Sequence, residues 1–527
     1  MMIVREQTGD ADTRCDVRHA IASRETTYRR LLLLIALFTL AATAAMHPIV
    51  DPDIWWHLRT GAWIVEHGNV PTTDLYSRYG MGKPWVAYSW LFEVLVYGLY
   101  RAFGPVGLVL YTTSVALLIA AALHALVRRF EPRFPISVAL TALGLCSFVP
   151  HMHPRPWLLT ILFYIIELDI LMAARRSGDT RRLFLLPLLF ALWANVHIQF
   201  VYGLFVLCLA VIESIVDGLL HRSRVGDKAK AIPAGRLLTV MAASTVMTLA
   251  TPYHLSLYQT AFGLIGETGP FNYVTEFLAL SFRSLWDWCI LATALGGVFV
   301  LGWRHDVRPF PYLLLVAGAF LSFRARRDVW FIVVAAIAIM ATGSLAAAAT
   351  QRFVLTKRQG LLLSGALVVM LVVVGWRQNI TERHLEAVLS ERYPVAAAAV
   401  VEARGYPGPL YNHFDWGGYL IWRLPHLPVA MDGRTNVYGD ARIRRAIATW
   451  TGKPGWDADA ELAAARVVMA NVDWPLAALL RLDTRFKLAY EDAVAAVFVA
   501  TSLSEAGATT ALSQEGEHAH TGKEVLP

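Results

Sequence analysis

The sequence predicts a polytopic α-helical membrane protein with about eleven transmembrane helices and a small C-terminal extracytoplasmic α/β domain. Three observations predict this fold class. The 527 residues are 56% hydrophobic and only 17% charged, with a mean hydropathy of +0.47, which is too apolar for a soluble protein. The apolar residues form long runs separated by short Arg-rich segments. From about residue 378, short β-rich runs alternate with Ala-rich helical stretches.

Positive charges predict the orientation of the chain. Six arginines precede the first apolar run, 31–46, so the positive-inside rule places the N-terminal segment 1–30 in the cytoplasm. A cleaved signal peptide is the alternative, because Ala42-Thr43-Ala44 resembles a cleavage site, but the preceding charged segment is long for one. Basic cytoplasmic loops explain the net charge of +7, which therefore does not indicate a nucleic-acid partner. The further apolar runs are 106–127, 136–150, 157–174, 183–196, 199–219, 237–250, 286–302, 309–323, 329–348 and 361–376.

An odd number of crossings places the C-terminal region outside the membrane. This count requires the apolar stretch 85–103 not to cross, because it contains Glu93 and a crossing would move the basic cluster 128–133 outside. We therefore predict a large first external loop, 47–105, in which this stretch lies on the outer leaflet. The predicted domains are a transmembrane domain over 31–377, an extracytoplasmic α/β domain over 378–502 and a disordered tail over 503–527.

The four cysteines indicate neither a disulfide nor a zinc site. Cys15 lies in the basic N-terminal segment, and the other three lie inside apolar runs without the spacing of metal ligands. We expect these three to be small packing residues.

Two carboxylates, Asp51 and Asp53, stand just outside the first predicted span and precede an aromatic, amphipathic stretch. If this stretch is helical, Asp53 and His57 project from one face, because they are one turn apart. Aspartate is well suited to cap a helix. It is also suited to act as a general base or metal ligand at the membrane surface, and the two interpretations are compatible.

A spaced series of residues continues through the first external loop. It comprises Asp53, then Gly68 with Val70-Pro71, then Lys83-Pro84, and finally Phe103-Gly104 at the end of an amphipathic stretch. The series resembles the first loop of the GT-C superfamily of integral membrane glycosyltransferases. This resemblance implies transfer of a sugar from a polyprenyl-phosphate carrier to a lipid, glycan or protein acceptor on the extracytoplasmic side. It also implies that Asp53 is the catalytic base, with Asp51 as a helper, a metal ligand or a cap.

Longer segments are similar to a group of bacterial GT-C-like membrane proteins, and this similarity implies a location in the bacterial inner membrane. The superfamily often has two adjacent acidic residues, whereas here Ile54 follows Asp53 and the second carboxylate is Asp51. The sequence therefore leaves dependence on a divalent metal ion open. The matching segments are 51–61, Arg155-Pro156-Trp157, Trp193-Ala194-Asn195-Val196-His197, Thr251-Pro252-Tyr253 and Asp415-Trp416-Gly417-Gly418-Tyr419.

Sugar transfer from a lipid phosphate needs a base for the incoming hydroxyl and cations for the departing phosphate. Arg324, Arg326 and Arg327 fall in a predicted outside turn, against the positive-inside rule. We predict that they bind the donor phosphate, which a guanidinium group can hold through two hydrogen bonds. An interfacial position without a ligand is the alternative. The chain has no Gly-rich phosphate loop or nucleotide fingerprint, so the sequence does not indicate a soluble nucleotide-sugar donor.

Further polar side chains on the predicted outer side are candidates for the pocket lining. A histidine at a membrane interface is more often a headgroup-level anchor, and a loop carboxylate is more often solvated. The candidates are His57, Glu93, His151, His153, Arg155, Asn195, His197 and Glu276.

Two glycine-containing loops distinguish the C-terminal region, namely 415–419 and Asp432-Gly433-Arg434. Turn formation alone explains them, because glycine permits tight turns at low steric cost. Contact with the acceptor is the functional alternative. The predicted β runs are 409–411, 429–431, 466–470 and 494–499, and the predicted helical stretches include 395–404 and 460–465.

Transport or flipping of a lipid-linked glycan is the main alternative function, and a noncatalytic scaffold of the same fold is another. A transporter is expected to carry charges in mid-span and broken helices in repeated positions. The main charges within the apolar runs are Glu167, Asp169 and Glu213, which lie toward the inner ends of their runs.

Overall fold

The computed structural model describes residues 27–219, 232–266, 269, 274–304, 308–343 and 356–502. The basic segment before residue 27 and the predicted tail 503–527 lie outside the described residues. The helices are α1 (Thr27–Ala45), α2 (Ile54–His67), α3 (Trp90–Phe103), α4 (Pro105–Phe130), α5 (Phe134–Phe148), α6 (Trp157–Ser177), α7 (Leu186–Val196), α8 (Phe200–Leu219), α9 (Ala234–Met247), α10 (Ser256–Gly266), α11 (Leu285–Arg304), α12 (Pro309–Arg324), α13 (Val329–Thr342), α14 (Lys357–Arg377), α15 (Glu382–Arg392), α16 (Val395–Ala403), α17 (Gly417–Arg423), α18 (Thr435–Tyr438), α19 (Asp440–Trp450), α20 (Ala460–Ala463) and α21 (Pro475–Leu480). The strands are β1 (Leu410–Asn412), β2 (Val467–Asn471), β3 (Phe486–Glu491) and β4 (Ala495–Ala500).

The described residues fall into two compact units. The first unit is formed from the described parts of Met1–His47, Val109–Thr251 and Phe271–Ile380. The second is formed from those of Pro48–Leu108, Pro252–Pro270 and Thr381–Pro527. The second unit therefore combines most of the predicted first external loop with the C-terminal region.

Each apolar run predicted from the sequence contains a helix. Among the described residues, seven helical segments are long and apolar enough to cross a membrane, and α9 and α12 are apolar but shorter. The prediction of several helices that are long and apolar enough to cross a membrane is therefore confirmed, while the count of about eleven crossings stays a prediction. Helix α3 has 14 residues and is not among the seven. The seven segments are Thr27–Ala45, Pro105–Phe130, Phe134–His151, Trp157–Ser177, Phe200–Leu219, Leu285–Arg304 and Lys357–Arg377.

Helix α13 forms the core of the first unit, where it packs against α5, α6, α11 and α12. It is apolar on all sides, as is typical of a helix without an exposed face, and residues 329–339 are all buried. Small residues let the neighbouring backbones approach it closely. A Cβ atom at Gly318 of α12 would lie 3.0 Å from Ile332 Cα, and one at Gly297 of α11 would lie 3.0 Å from Ala336 Cβ.

The second unit contains the packed pair α2 and α3 and a small mixed sheet. The helices are in close contact at Gly61, where a Cβ atom would overlap the carbonyl oxygen of Glu93. The strand order is β1-β2-β4-β3, with β1 and β2 parallel and the other pairs antiparallel. The small C-terminal sheet predicted from the sequence is therefore present. Two details differ, because the predicted run 429–431 makes only an isolated bridge to Ser77, and β3 was not predicted.

Candidate active site

Asp53 stands immediately before α2, at the N-cap position. Its side chain makes no capping hydrogen bond to the described residues of the helix, although aspartate is a preferred capping residue. The turn is held instead by Asp51, whose Oδ1 accepts a hydrogen bond from Asp53 N at 2.9 Å. Asp51 is buried and Asp53 is half-buried. Asp53 therefore occupies the N-cap position without a side-chain cap to α2.

The Asp53 carboxylate packs against Gly433, in the second of the two distinctive loops. A Cβ atom at Gly433 would overlap Asp53 Oδ1 and would lie 3.1 Å from Oδ2, so a larger residue does not fit without a shift. The other loop also meets this segment, since a Cβ at Gly418 would overlap the carbonyl oxygen of Pro52. A Cβ at Gly417 would in turn overlap the carbonyl oxygen of Met431. Three sequence motifs that we treated separately thus meet around Asp53.

Asp415 is a further acidic group near Asp53. Desolvation by the surrounding protein and the negative charge of Asp53 raise the pKa of Asp415. Next to these carboxylates, the rings of Trp55, Tyr393 and Tyr419 form an aromatic cluster with centroid distances of 5.2 to 5.7 Å. Trp55, Tyr393 and Tyr419 are only 1%, 3% and 6% exposed, so the cluster belongs to the core that supports the segment carrying Asp53.

His57 of α2 and Glu93 of α3 meet where the two helices pack together. His57 Nδ1 is 3.0 Å from Glu93 Oε1, and the two side chains are only 3% and 1% exposed. Burial raises the pKa of Glu93 well above its usual range, with the charge of Arg434 opposing this effect. The structure therefore places these two predicted pocket residues as a buried pair that supports α2, one turn after Asp53.

Sequence reasoning missed a buried charge network behind Gly433. Arg434 donates hydrogen bonds to Asp432 and to Asp74, and all three side chains are at most 2% exposed. Asp74 and Arg434 are separated by 360 positions in the chain. The sequence signal was the loop Asp432-Gly433-Arg434 itself, but nothing local to Asp74 indicated its partner.

The other predicted site residues belong to the first unit, where several of them interact. Arg155 Nη2 donates a hydrogen bond of 2.8 Å to Glu276 Oε1, and the Arg155 guanidinium also lies over the ring of Trp157. The pKa of His197 is lowered to about 3, mainly by burial and to a smaller extent by the positive charges of Arg327 and Arg155. His197 is therefore neutral at physiological pH, beside two permanent cations.

Arg327 lies in the turn between α12 and α13. Its guanidinium carbon is 3.9 Å from the ring centroid of Phe277, and its Nε is 3.7 Å from Asp328 Oδ1. Asp328 accepts hydrogen bonds from Gln199 at 2.7 Å and from Tyr202 at 3.1 Å. Arg327 is therefore held at the end of the helices by both an aromatic ring and a fixed carboxylate.

The remaining candidates of the first unit have mainly local roles in the structure. His151 Nε2 lies 2.9 Å from the carbonyl oxygen of Arg326, and Asn195 donates hydrogen bonds to two backbone carbonyls. The ring of His153 packs edge-on against His47. Arg324 is exposed, and its positive charge interacts electrostatically with Asp328 and Tyr202. Arg326 is half-buried. We name Arg155, Arg324, Arg326 and Arg327 the arginine group.

The part of the chain that the structure describes was also compared with the ligand sets of metal ions. No group of three or more His, Cys, Asp or Glu side chains there is arranged to hold a metal ion.

Comparisons with known proteins identify the fold. No protein-family model matches the chain, and no curated protein matches it either. The oligosaccharyltransferase of Archaeoglobus fulgidus, solved with a tethered acceptor peptide, matches 85% of this chain and 69% of its own length, with a TM-score of 0.50 and 11% identity. The same enzyme, AglB, in complex with an inhibitory peptide and a dolichol-phosphate matches with a TM-score of 0.50, 12% identity, and coverage of 85% and 70%. ArnT from Cupriavidus metallidurans, bound to undecaprenyl phosphate, matches with a TM-score of 0.48, 15% identity, and coverage of 90% and 98%.

These identities are low, so the AglB matches bear on the fold and not on the reaction. They extend over most of the chain, and they agree with the resemblance found in the first external loop. The chain shares the fold of the oligosaccharyltransferase AglB over most of its length.

Proposed function

We propose that the chain is a membrane glycosyltransferase that moves a sugar from a polyprenyl-phosphate-linked donor to an acceptor on the extracytoplasmic face. In this proposal Asp53 is the general base. The observation that carries it is the Asp53 carboxylate, which lies half-buried at the start of α2 without capping the helix, in a chain with the AglB fold. AglB has been solved with an acceptor peptide and with a dolichol-phosphate, and we extend to this chain only the general class of donor.

The reaction needs a base on one side of the sugar and cations on the other. The acceptor hydroxyl oxygen forms a bond to the anomeric carbon while the bond from that carbon to the phosphate oxygen breaks. The hydroxyl proton passes to the Asp53 carboxylate, and the bonding electron pair leaves with the polyprenyl phosphate.

The arginine group supplies the cations in this proposal. A departing phosphate gains negative charge, and guanidinium groups stabilise it through charge-assisted hydrogen bonds. Arg155 is largely buried and Arg327 is held against Phe277 and Asp328, so both are already ordered before a phosphate arrives. The neutral state of His197 leaves it able to accept or donate a hydrogen bond without adding a further positive charge.

The test is a transfer assay with the full chain in proteoliposomes. The probes are radiolabelled polyprenyl-phosphate sugars, and a membrane extract provides the acceptors. We expect the wild-type protein to move label from the donor lipid to an acceptor. Asp53→Asn is expected to lower kcat/KM by about 10²- to 10⁴-fold, the usual contribution of general base catalysis.

Glu66→Gln is the matched control, because Glu66 is an exposed carboxylate on the same helix, 3.8 Å from Arg59. It is expected to leave the rate of transfer unchanged. Undiminished transfer by Asp53→Asn would sink the assignment of the base. Movement of the labelled lipid between leaflets without transfer would favour a flippase, and neither activity would favour a noncatalytic scaffold.

A further inference from the structure

Arg434 is a buried cation held on several sides. Its Nε and Nη2 donate to the two carboxylate oxygens of Asp432 at 2.8 and 2.7 Å, and its Nη1 donates to Asp74 Oδ1 at 2.7 Å. The guanidinium carbon also lies 4.8 Å from the ring centroid of Trp85 and 5.1 Å from that of Tyr76. A planar guanidinium that bridges two carboxylates between rings has little freedom to move.

The two carboxylates are themselves fixed. Asp74 Oδ1 accepts a hydrogen bond from Tyr76 N at 3.1 Å, and its Oδ2 accepts one from the hydroxyl of Ser77. Asp432 accepts a hydrogen bond from the hydroxyl of Tyr438 and another from Arg434 N at 2.9 Å. The network thus ties the turn at residues 432–434 to the loop that carries Asp74.

Gly433 stands between the two anchored residues of this turn, and its Cα faces the Asp53 carboxylate. A Cβ at this position would contact both Asp53 oxygens, so the glycine surface lies against the whole carboxylate group. The position of Gly433 therefore limits the directions that the Asp53 side chain can take.

We propose that the turn Asp432-Gly433-Arg434 is a positioning element, in which the Arg434 network fixes Gly433 and Gly433 sets the orientation of the Asp53 carboxylate. This inference rests on the proposed function, because the orientation matters only if Asp53 accepts a proton. The turn itself touches no substrate in this mechanism. A base that is displaced by about 1 Å can lose about a hundredfold in rate, so the orientation has catalytic value.

The test combines thermal unfolding with kinetics on the full-length protein in detergent and in proteoliposomes. Gly433→Ala is compared with Gly98→Ala, in which the new methyl group meets no described atom within 4 Å. We expect Gly433→Ala to lower kcat by at least about tenfold while KM for the lipid donor stays unchanged, because only the base is displaced. Gly98→Ala is expected to change neither constant.

A double-mutant cycle tests the contact independently of activity. Gly433→Ala is expected to lower the Tm in the wild-type background and to lower it less in the Asp53→Ala background, where the carboxylate is absent. An equal loss of Tm in the two backgrounds would overturn the contact. Coupling in Tm together with an unchanged kcat for Gly433→Ala would overturn the positioning role.

Tyr438→Phe provides a milder variant if Gly433→Ala does not fold. It removes the hydroxyl that donates to Asp432 and leaves Gly433 in place. The inference predicts a lower kcat with an unchanged donor KM, whereas a role in folding alone predicts an unchanged kcat per folded protein. A full rate in Asp53→Asn, or no transfer by the wild-type protein, would overturn the proposed function and this inference with it. Full loss in Asp53→Asn with full rates in both turn variants would overturn the inference alone.

Discussion

Replacement of Arg434 is expected to destabilise the second unit more than replacement of any surface arginine. Arg434→Met removes the hydrogen bonds to Asp74 and Asp432 and leaves these two carboxylates, both 0% exposed, without their cation. Removal of one partner of a buried ion pair costs about 3–5 kcal/mol, because the remaining charge is neither solvated nor compensated. We therefore expect Arg434→Met to lower the free energy of unfolding by about 3–5 kcal/mol.

Arg423→Met is the matched control for this substitution. Arg423 forms an ion pair of 2.7 Å with Glu402, but the two side chains are 40% and 43% exposed. Exposed pairs contribute about 0–1 kcal/mol, so the control is expected to lose no more than this. The assay is denaturant unfolding of the full chain in detergent, followed by tryptophan fluorescence.

A third variant tests the cause of the loss. Arg434→Met combined with Asp74→Asn and Asp432→Asn removes the uncompensated charges, so part of the stability should return. Equal losses for Arg434→Met and Arg423→Met would refute the argument that Arg434 balances buried charge. The same conclusion would follow if the triple variant were as unstable as the three separate losses added together.

Three further predictions concern other parts of the molecule. Burial raises the pKa of Glu93 above the value of 4.5, so the folded state binds the Glu93 proton more tightly than the unfolded state does, and the free energy of unfolding should fall as the pH rises from about 4.5 toward the raised pKa. Glu93→Gln should flatten this slope when unfolding is measured as a function of pH. An unchanged slope would contradict the raised pKa of Glu93. Gly418→Ala should cost about 1–3 kcal/mol of unfolding free energy, because its methyl group meets the carbonyl oxygen of Pro52, and equal stability to Gly98→Ala would rule this out. Arg327→Met should raise KM for the lipid donor at least about tenfold, because a charge-assisted hydrogen bond to the phosphate is lost. Arg181 is exposed, and Arg181→Met should leave this KM unchanged. Equal KM values for the two variants would show that Arg327 does not bind the phosphate.

The helices were predictable because their signal is local. Apolar runs such as 361–376 predict a helix from composition alone, and the structure has one at Lys357–Arg377. The run 429–431 has the composition of a strand, but it makes only a single bridge to Ser77. Strand β3 was missed because its side chains alternate poorly between buried and exposed positions and its pairing with β4 is interrupted by a bulge.

The site was predictable only in part, because its contacts connect distant positions. The motif that contains Asp53 was recognisable from its neighbours, and the pairing of Arg155 with Glu276 involves two residues that we had selected separately. The packing of Gly433 on Asp53 depends on where the chain returns after most of its length. Glycine and aspartate have ordinary local explanations in turns and caps, so neither residue indicated its partner.

The central claim is that Asp53 removes the proton from the acceptor during sugar transfer. Its most direct test is the single-turnover rate of transfer from a radiolabelled polyprenyl-phosphate sugar by wild type and Asp53→Asn, each reconstituted at saturating donor. The account predicts a rate about 10²- to 10⁴-fold lower for Asp53→Asn, with Glu66→Gln equal to the wild-type protein. Equal single-turnover rates for Asp53→Asn and the wild-type protein would contradict it.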